Sequence, residues 1–166
     1  NFNKSFKSRP YNNLGLVFIE WENYPKAIES FENALKFHPD ARVPRYNLAQ
    51  IFLKIGDPVK AQFYLDEIPG AIEDDDFFIS RGFGELLKKK YEKALENFQL
   101  VSNQKNKRHD IALYRSYALL KMGKIKMAKD SLQKKIKSNN KVLLFFEKGL
   151  QKEILDLDKE DENESK

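Results

Sequence analysis

Residues 11–39 read YNNLGLVFIEWENYPKAIESFENALKFHP. What decides the fold is that the spacing of Leu14, Gly15, Phe18, Ala27, Phe31, Ala34 and Pro39 returns, with substitutions, three more times along the chain. Small residues stand at Gly15, Ala49, Gly82 and Ser116, at a step constant to within one position, and a second small series, Ala27, Ala61, Ala94 and Ala128, keeps the same steps. Two series in one register mark an internal repeat. Within each unit the two small residues keep a fixed separation, with large apolar residues around them. Small side chains let two helices approach closely, and large ones beside them fill the space that remains. Each unit therefore predicts a helix, a turn and a second helix.

The punctuation agrees with this reading. Pro10 and Pro44, at the same place in successive units, suit the first turn of a helix, where a missing N–H has no partner to lose. The expected turns are Glu22-Asn23, Gly56-Asp57-Pro58, Lys88 to Lys90 and Gly123-Lys124, with glycine where a helix end needs a left-handed residue. The stretch PGAIEDDD, residues 69–76, reads as a break followed by an acidic helix start, since aspartates complement the positive end of a helix and cap its free N–H groups. Asn139-Asn140 can cap a last helix with Val142, Phe145, Phe146, Leu150 and Ile154 on one face, placed to cover the open end of the array. From Asp156 the sequence DLDKEDENESK has almost no apolar content, which predicts disorder.

These residues resemble the tetratricopeptide repeat family, whose unit of about 34 residues runs W-x2-L-G-x2-Y, then A-x3-F, A and P. The second unit keeps Leu48, Ala49, Phe52, Gly56 and Ala61, the third carries Tyr91, Ala94 and Phe98, and the fourth keeps Leu119, Gly123, Ala128 and Leu132. Arg81, Glu85, Arg115 and Lys135 depart from the pattern. The resemblance implies an all-α fold, a right-handed superhelical array of about four helix-turn-helix hairpins plus a C-terminal capping helix. The expected organisation is a linker or hairpin remnant at 1–7, repeats over about 8–41, 42–74, 75–108 and 109–138, the capping helix at 139–155 and an acidic tail at 156–166.

Composition bounds the chemistry. The chain has 166 residues, 41% hydrophobic and 13% aromatic, enough for one continuous core shared between stacked hairpins. It has no cysteine, so disulfides, thiolate catalysis and zinc-thiolate sites are excluded and the redox compartment is not legible. No apolar run reaches the roughly 18 residues of a membrane span, and a soluble cytoplasmic or periplasmic location both fit. The chain starts at Asn1 rather than Met, as expected of a fragment or a mature form, so the sequence does not decide whether an anchor or targeting segment belongs to it. The net charge of +5 is uneven: residues 1–87 carry 10 basic and 13 acidic side chains, residues 88–155 carry 18 and 6, and residues 156–166 carry 2 and 6. A basic block thus precedes an acidic tail.

In the family, the first helix of each hairpin lines a concave groove. Carried over position by position, the resemblance implies a groove of Arg9, Asn12, Asn13, Leu16 and Glu20 from the first unit, and of Val43, Tyr46, Asn47, Gln50 and Lys54 from the second. Ile79, Ser80, Phe83 and Leu87 follow from the third, and Asp110, Leu113, Tyr114, Tyr117 and Lys121 from the fourth. The carboxamides can hold a peptide backbone or cross-link neighbouring helices, and the aromatics can anchor a partner or pack helix against helix. Of the positions with which some family members grip a chaperone's C-terminal carboxylate, only Asn47 is matched.

A second candidate is a basic patch of Lys88, Lys89, Lys90, Lys105, Lys107, Arg108, Lys124 and Lys126, which would dock on an acidic protein or an anionic membrane surface unless these lysines merely keep a surface solvated. Nucleic-acid readout favours arginine and exposed aromatics, and only Arg108 and Arg115 occur in residues 88–155, so nucleic acid is not expected. The run Asp74-Asp75-Asp76 is expected to start a helix rather than bind metal, and His38 and His109 have no acid or nucleophile at a catalytic spacing. Neither catalysis nor a cofactor is expected. Residues 142–146, apolar over more than one helix face, offer a self-association surface. The sequence thus predicts a non-catalytic protein-binding scaffold or adaptor, with an electrostatic tether through residues 88–155 as the alternative.

Overall fold

A computed structural model describes residues 2–68, 74–102, 109–132 and 141–164. All the regular structure among them is helical: α1 (Phe2–Glu20), α2 (Tyr24–Phe37), α3 (Arg42–Lys54), α4 (Pro58–Asp66), α5 (Asp75–Leu87), α6 (Tyr91–Leu100), α7 (His109–Lys121), α8 (Ile125–Leu132) and α9 (Lys141–Glu164). The chain is an all-α succession of helical hairpins, divided into an N-terminal unit, residues 1–73, and a C-terminal unit, residues 74–166. In the N-terminal unit α1 pairs with α2, α3 with α4, and α2 packs on α3. In the C-terminal unit α5 pairs with α6 and α7 with α8, α6 packs on α7, and α9 packs on α7 and α8.

The four turns inside the hairpins share one geometry, and the period of the sequence explains it. Glu22, Gly56, Lys89 and Gly123 have φ of 54°, 81°, 58° and 71°, and they are spaced by the same steps as the small residues. At each turn the left-handed residue's N–H reaches back three residues, as from Glu22 to Ile19 (2.9 Å), and the next N–H reaches back five, as from Asn23 to Phe18 (2.8 Å) and Lys124 to Leu119 (2.9 Å). This pair of bonds closes the last free carbonyls of the first helix. The residue after the left-handed one then caps the second helix. Asn23 Oδ1 accepts from Lys26 N at 3.3 Å and Asp57 Oδ1 from Lys60 N at 3.0 Å. Lys90 fills the same place without a side-chain cap.

Close approach of the paired helices depends on the small series. A Cβ added at Gly15 would lie 2.5 Å from the Phe31 ring, and one at Gly82 would lie 2.4 Å from the Phe98 ring. Where the small residue is Ala49 or Ser116, the position equivalent to these phenylalanines holds Leu65 or Leu132. The extra carbon in one helix is offset by a smaller side chain in the other, as a close-packed interior demands. Ser116 is fully buried, and its hydroxyl donates to the Ala128 carbonyl at 3.0 Å, tying α7 to α8. Ala27, Ala61, Ala94 and Ala128 are all buried.

Two ends differ from the sequence expectation. α1 begins at Phe2, with Pro10 inside it, so residues 2–7 form the first turns of the first helix, where the sequence suggested a linker or the remnant of an earlier hairpin. Proline suits a helix start but does not require one; inside a helix it removes one backbone bond. At the other end α9 continues to Glu164 instead of ending at 155. Leu150 and Ile154 are buried against Leu113, Leu119, Leu120 and Ala128, and Leu157 packs on the same cluster, which carries the apolar stripe one turn into the acidic stretch. That stripe turns Phe145 to solvent, 81% exposed, away from the face predicted for it.

The acidic start of α5 is as the sequence predicts. Asp74 Oδ1 caps it by accepting from Phe77 N at 2.9 Å, and Asp75 accepts from the N–H and hydroxyl of Ser102 at 2.7 and 2.6 Å. That run fastens the start of α5 to the end of α6.

Candidate functional site

The predicted groove positions lie on α1 and α3 in the N-terminal unit and on α5 and α7 in the C-terminal unit. On α1 the 3.6-residue period sets Arg9, Asn12, Asn13 and Leu16 along one side of the helix. Arg9, Asn13 and Leu16 are exposed and Asn12 is half-buried. Asn47 Nδ2 donates to Asn12 Oδ1 at 3.2 Å, so these two amides join α1 to α3 and hold the spacing of the face, while Asn13 stays exposed. Tyr46, Asn47 and Gln50 are half-buried along α3. Lys54 ends the row with its ammonium 5.1 Å from the centre of the Tyr24 ring, and the hydrogen bond with Tyr24 raises its pKa above the ordinary lysine value.

At the N-terminal end of this face is an open hollow of about 330 Å³. Its walls are Ser8, Arg9, Asn12 and Asn13 of α1, and His38 with residues 41–44 of the α2–α3 connection and the start of α3. The family positions locate the α1 wall and Val43. They miss His38 and Arg42, which sit in and just after the connection between hairpins; the signal available in sequence is that residues 38–44 place a histidine and an arginine around Ala41, which cannot cap the helix it precedes. Arg45 fixes that connection by donating to the Pro39 carbonyl and pairing with Glu67 at 3.8 Å.

In the C-terminal unit the predicted aromatic anchors turn largely to one another. The Phe83 and Tyr114 rings are 5.0 Å apart and Tyr114 is 6.1 Å from Phe98, so these rings bind α5, α6 and α7 together. Tyr117 meets Tyr91 edge-on at 6.3 Å. Lys121 stands over Tyr117 at 5.5 Å and pairs with Glu153 of α9 at 2.8 Å. That hydrogen bond raises the Lys121 pKa. These side chains are thus engaged within the unit while staying half-buried or exposed, whereas Ser80 and Leu113, also named from the family positions, are buried and present no groove surface.

Lys88 pairs with Glu85 at 2.6 Å, whereas Lys89, Lys90, Lys124 and Lys126 are exposed; Lys105, Lys107 and Arg108 lie outside the described residues. Within residues 142–146, Leu144 and Phe145 are exposed, and the side chains of Val142, Leu143 and Phe146 lie outside the description. Among the described residues no group of three or more His, Cys, Asp or Glu is placed to hold a metal ion, and no helix is long and apolar enough to cross a membrane.

Residues 19–76 match the sequence profile of the family described as Tetratricopeptide repeat. No curated protein sequence matches the chain. Among solved structures, the fold is similar to MamA, residues 41 to the end, from Desulfovibrio magneticus RS-1, with a TM-score of 0.70 at 17% identity over 86% of this chain and 76% of that one. A MamA RS-1 ArsTM double mutant gives the same values. Pseudomonas aeruginosa pilF matches with a TM-score of 0.69 at 18% identity over 97% of this chain and 72% of its own. At such identities the likeness is one of fold. The resemblance to tetratricopeptide repeats read from residues 11–39 stands on these matches.

Proposed function

We propose that this chain is a non-catalytic scaffold that holds a peptide or helix of a partner protein against the helix face formed by α1 and α3. One observation carries the reading: Arg9, Asn13 and Leu16 present charge, amide and apolar surface side by side on α1, on a helix whose position is fixed by the Asn12–Asn47 bond and which opens onto a hollow. A rigid element carrying exposed groups of mixed chemistry suits peptide capture, because the helix that bears them needs no further backbone ordering on binding. The tetratricopeptide match over residues 19–76 supports it, since the family's folds serve protein–protein contacts.

Site-specific photo-cross-linking tests this. A photoreactive residue in place of Asn13 is expected to trap a partner protein in cells of the source organism, and the same residue in place of Lys126 is expected to trap nothing specific. Equal trapping at both positions, or trapping only at Lys126, would move the function to the basic second half.

A further inference from the structure

We propose that the hollow of the N-terminal unit is a receptor for the carboxylate side chains of an acidic peptide segment, gripped by Arg9 and Arg42. The inference rests on the peptide-binding reading above and supplies the ligand chemistry for one end of that face. Two arginines line this one hollow from different elements, Arg9 from α1 and Arg42 from the start of α3, and no Asp or Glu is among its walls. Among the described residues neither arginine has an ion-pair partner, in contrast with Arg45 close by, which is engaged by the Pro39 carbonyl and Glu67.

The α3 wall adds to the same field. Its N-cap, Ala41, makes no side-chain hydrogen bond and its first turn holds no acid, whereas the starts of α2, α4 and α5 are capped by Asn23, Asp57 and Asp74. Helix N-termini favour negative charge, and this one is left uncompensated beside two arginines. Guanidinium forks match carboxylates with paired, charge-assisted hydrogen bonds. Asn13, exposed on the same wall, can bond the peptide backbone that carries the acids. Val43 and Pro44 supply apolar surface beside them. A mixture of two guanidiniums, an amide and apolar wall fits a peptide better than it fits a lipid surface, which a flat lysine-rich patch would serve.

The test measures binding of a labelled hexapeptide containing two glutamates, and of the same peptide with both changed to glutamine, by fluorescence anisotropy at low salt. The wild-type chain is expected to prefer the glutamate peptide at least fivefold. The Arg9→Gln/Arg42→Gln double variant, whose changes are at exposed positions, is expected to lose most of that preference while keeping its melting temperature and its affinity for the glutamine peptide. Lys124→Gln/Lys126→Gln is expected to keep the preference. A double variant that retains the full preference overturns the proposal, as does a wild type that binds neither peptide. Displacement of the glutamate peptide by millimolar inorganic phosphate, or an Arg9- and Arg42-dependent binding of phosphatidylserine vesicles in its place, would assign the hollow to phosphate or lipid and likewise overturn it. Equal wild-type affinity for both peptides sinks the carboxylate receptor and leaves the peptide-binding face standing.

Discussion

At the scale of single residues, Gly15 and Phe31 form one object. An alanine at 15 would place its Cβ 2.5 Å from the Phe31 ring, and overpacking of this kind costs roughly 1–3 kcal/mol. Gly15→Ala is thus expected to lower the urea midpoint clearly, and adding Phe31→Leu is expected to recover part of the loss, because the second unit already pairs Ala49 with Leu65. A double-mutant cycle should give a favourable coupling of about 1 kcal/mol; additive losses would mean that the two residues do not share one space. The left-handed turn residues invite the opposite change. Glu22 and Lys89 hold φ of 54° and 58°, a region that costs a residue with a Cβ about 1–2 kcal/mol. Lys89→Gly is expected to raise stability by several tenths of a kcal/mol after the entropy of the more flexible unfolded chain is deducted, read from the same denaturation curves.

At the scale of elements, the helix starts are unequal. α6 begins at Lys90 with no side-chain cap, where α2 and α4 use Asn23 and Asp57. Lys90→Asp is expected to stabilise the C-terminal unit by about 1 kcal/mol, and thermal denaturation checks it. α9 is held by apolar contact and only lightly by charge. Ile154→Ala, which empties a buried place against Leu113 and Leu119, should cost about 2–4 kcal/mol. Glu153→Gln should cost less than about 1 kcal/mol because its pair with Lys121 is solvent-exposed. The Lys121 pKa is raised above 10.5 by Glu153. The small stabilisation it supplies is therefore complete below that value and is lost only as pH rises through the higher folded value, so no change is expected from this pair between pH 6 and pH 9.

Sequence reasoning reached the elements more surely than the site, for reasons visible in particular residues. A repeat imposes the same physical demand once in every unit, so Gly15, Gly56, Gly82 and Gly123 could be read as close approaches and turns. Ends carry no such repetition. Pro10 was compatible with a helix start and with a helix interior, and only α1 as a whole decides between them. Leu157 was legible as a member of the α9 stripe only once Leu150 and Ile154 were seen to be buried. The groove positions named Arg9, Asn12 and Asn13, which line the hollow of the N-terminal unit. They could not show that Phe83 and Tyr114 face each other, since an aromatic on a helix suits a partner and a neighbour equally.

At the scale of the whole molecule, the charge distribution sets up the one serious rival account. Residues 88–155 carry 18 basic and 6 acidic side chains, and docking through them would be strongly screened by salt, whereas a contact of mixed chemistry on α1 would be screened much less. The most direct test is affinity capture from source-cell lysate at low and high salt, comparing the wild-type chain with an Asn13→Asp/Leu16→Lys variant shown by circular dichroism to be folded. The scaffold account predicts a partner that survives high salt with the wild type and is lost from the variant at both salts. Capture of the same proteins by both chains at low salt, and by neither at high salt, would contradict it and assign the binding to the basic half.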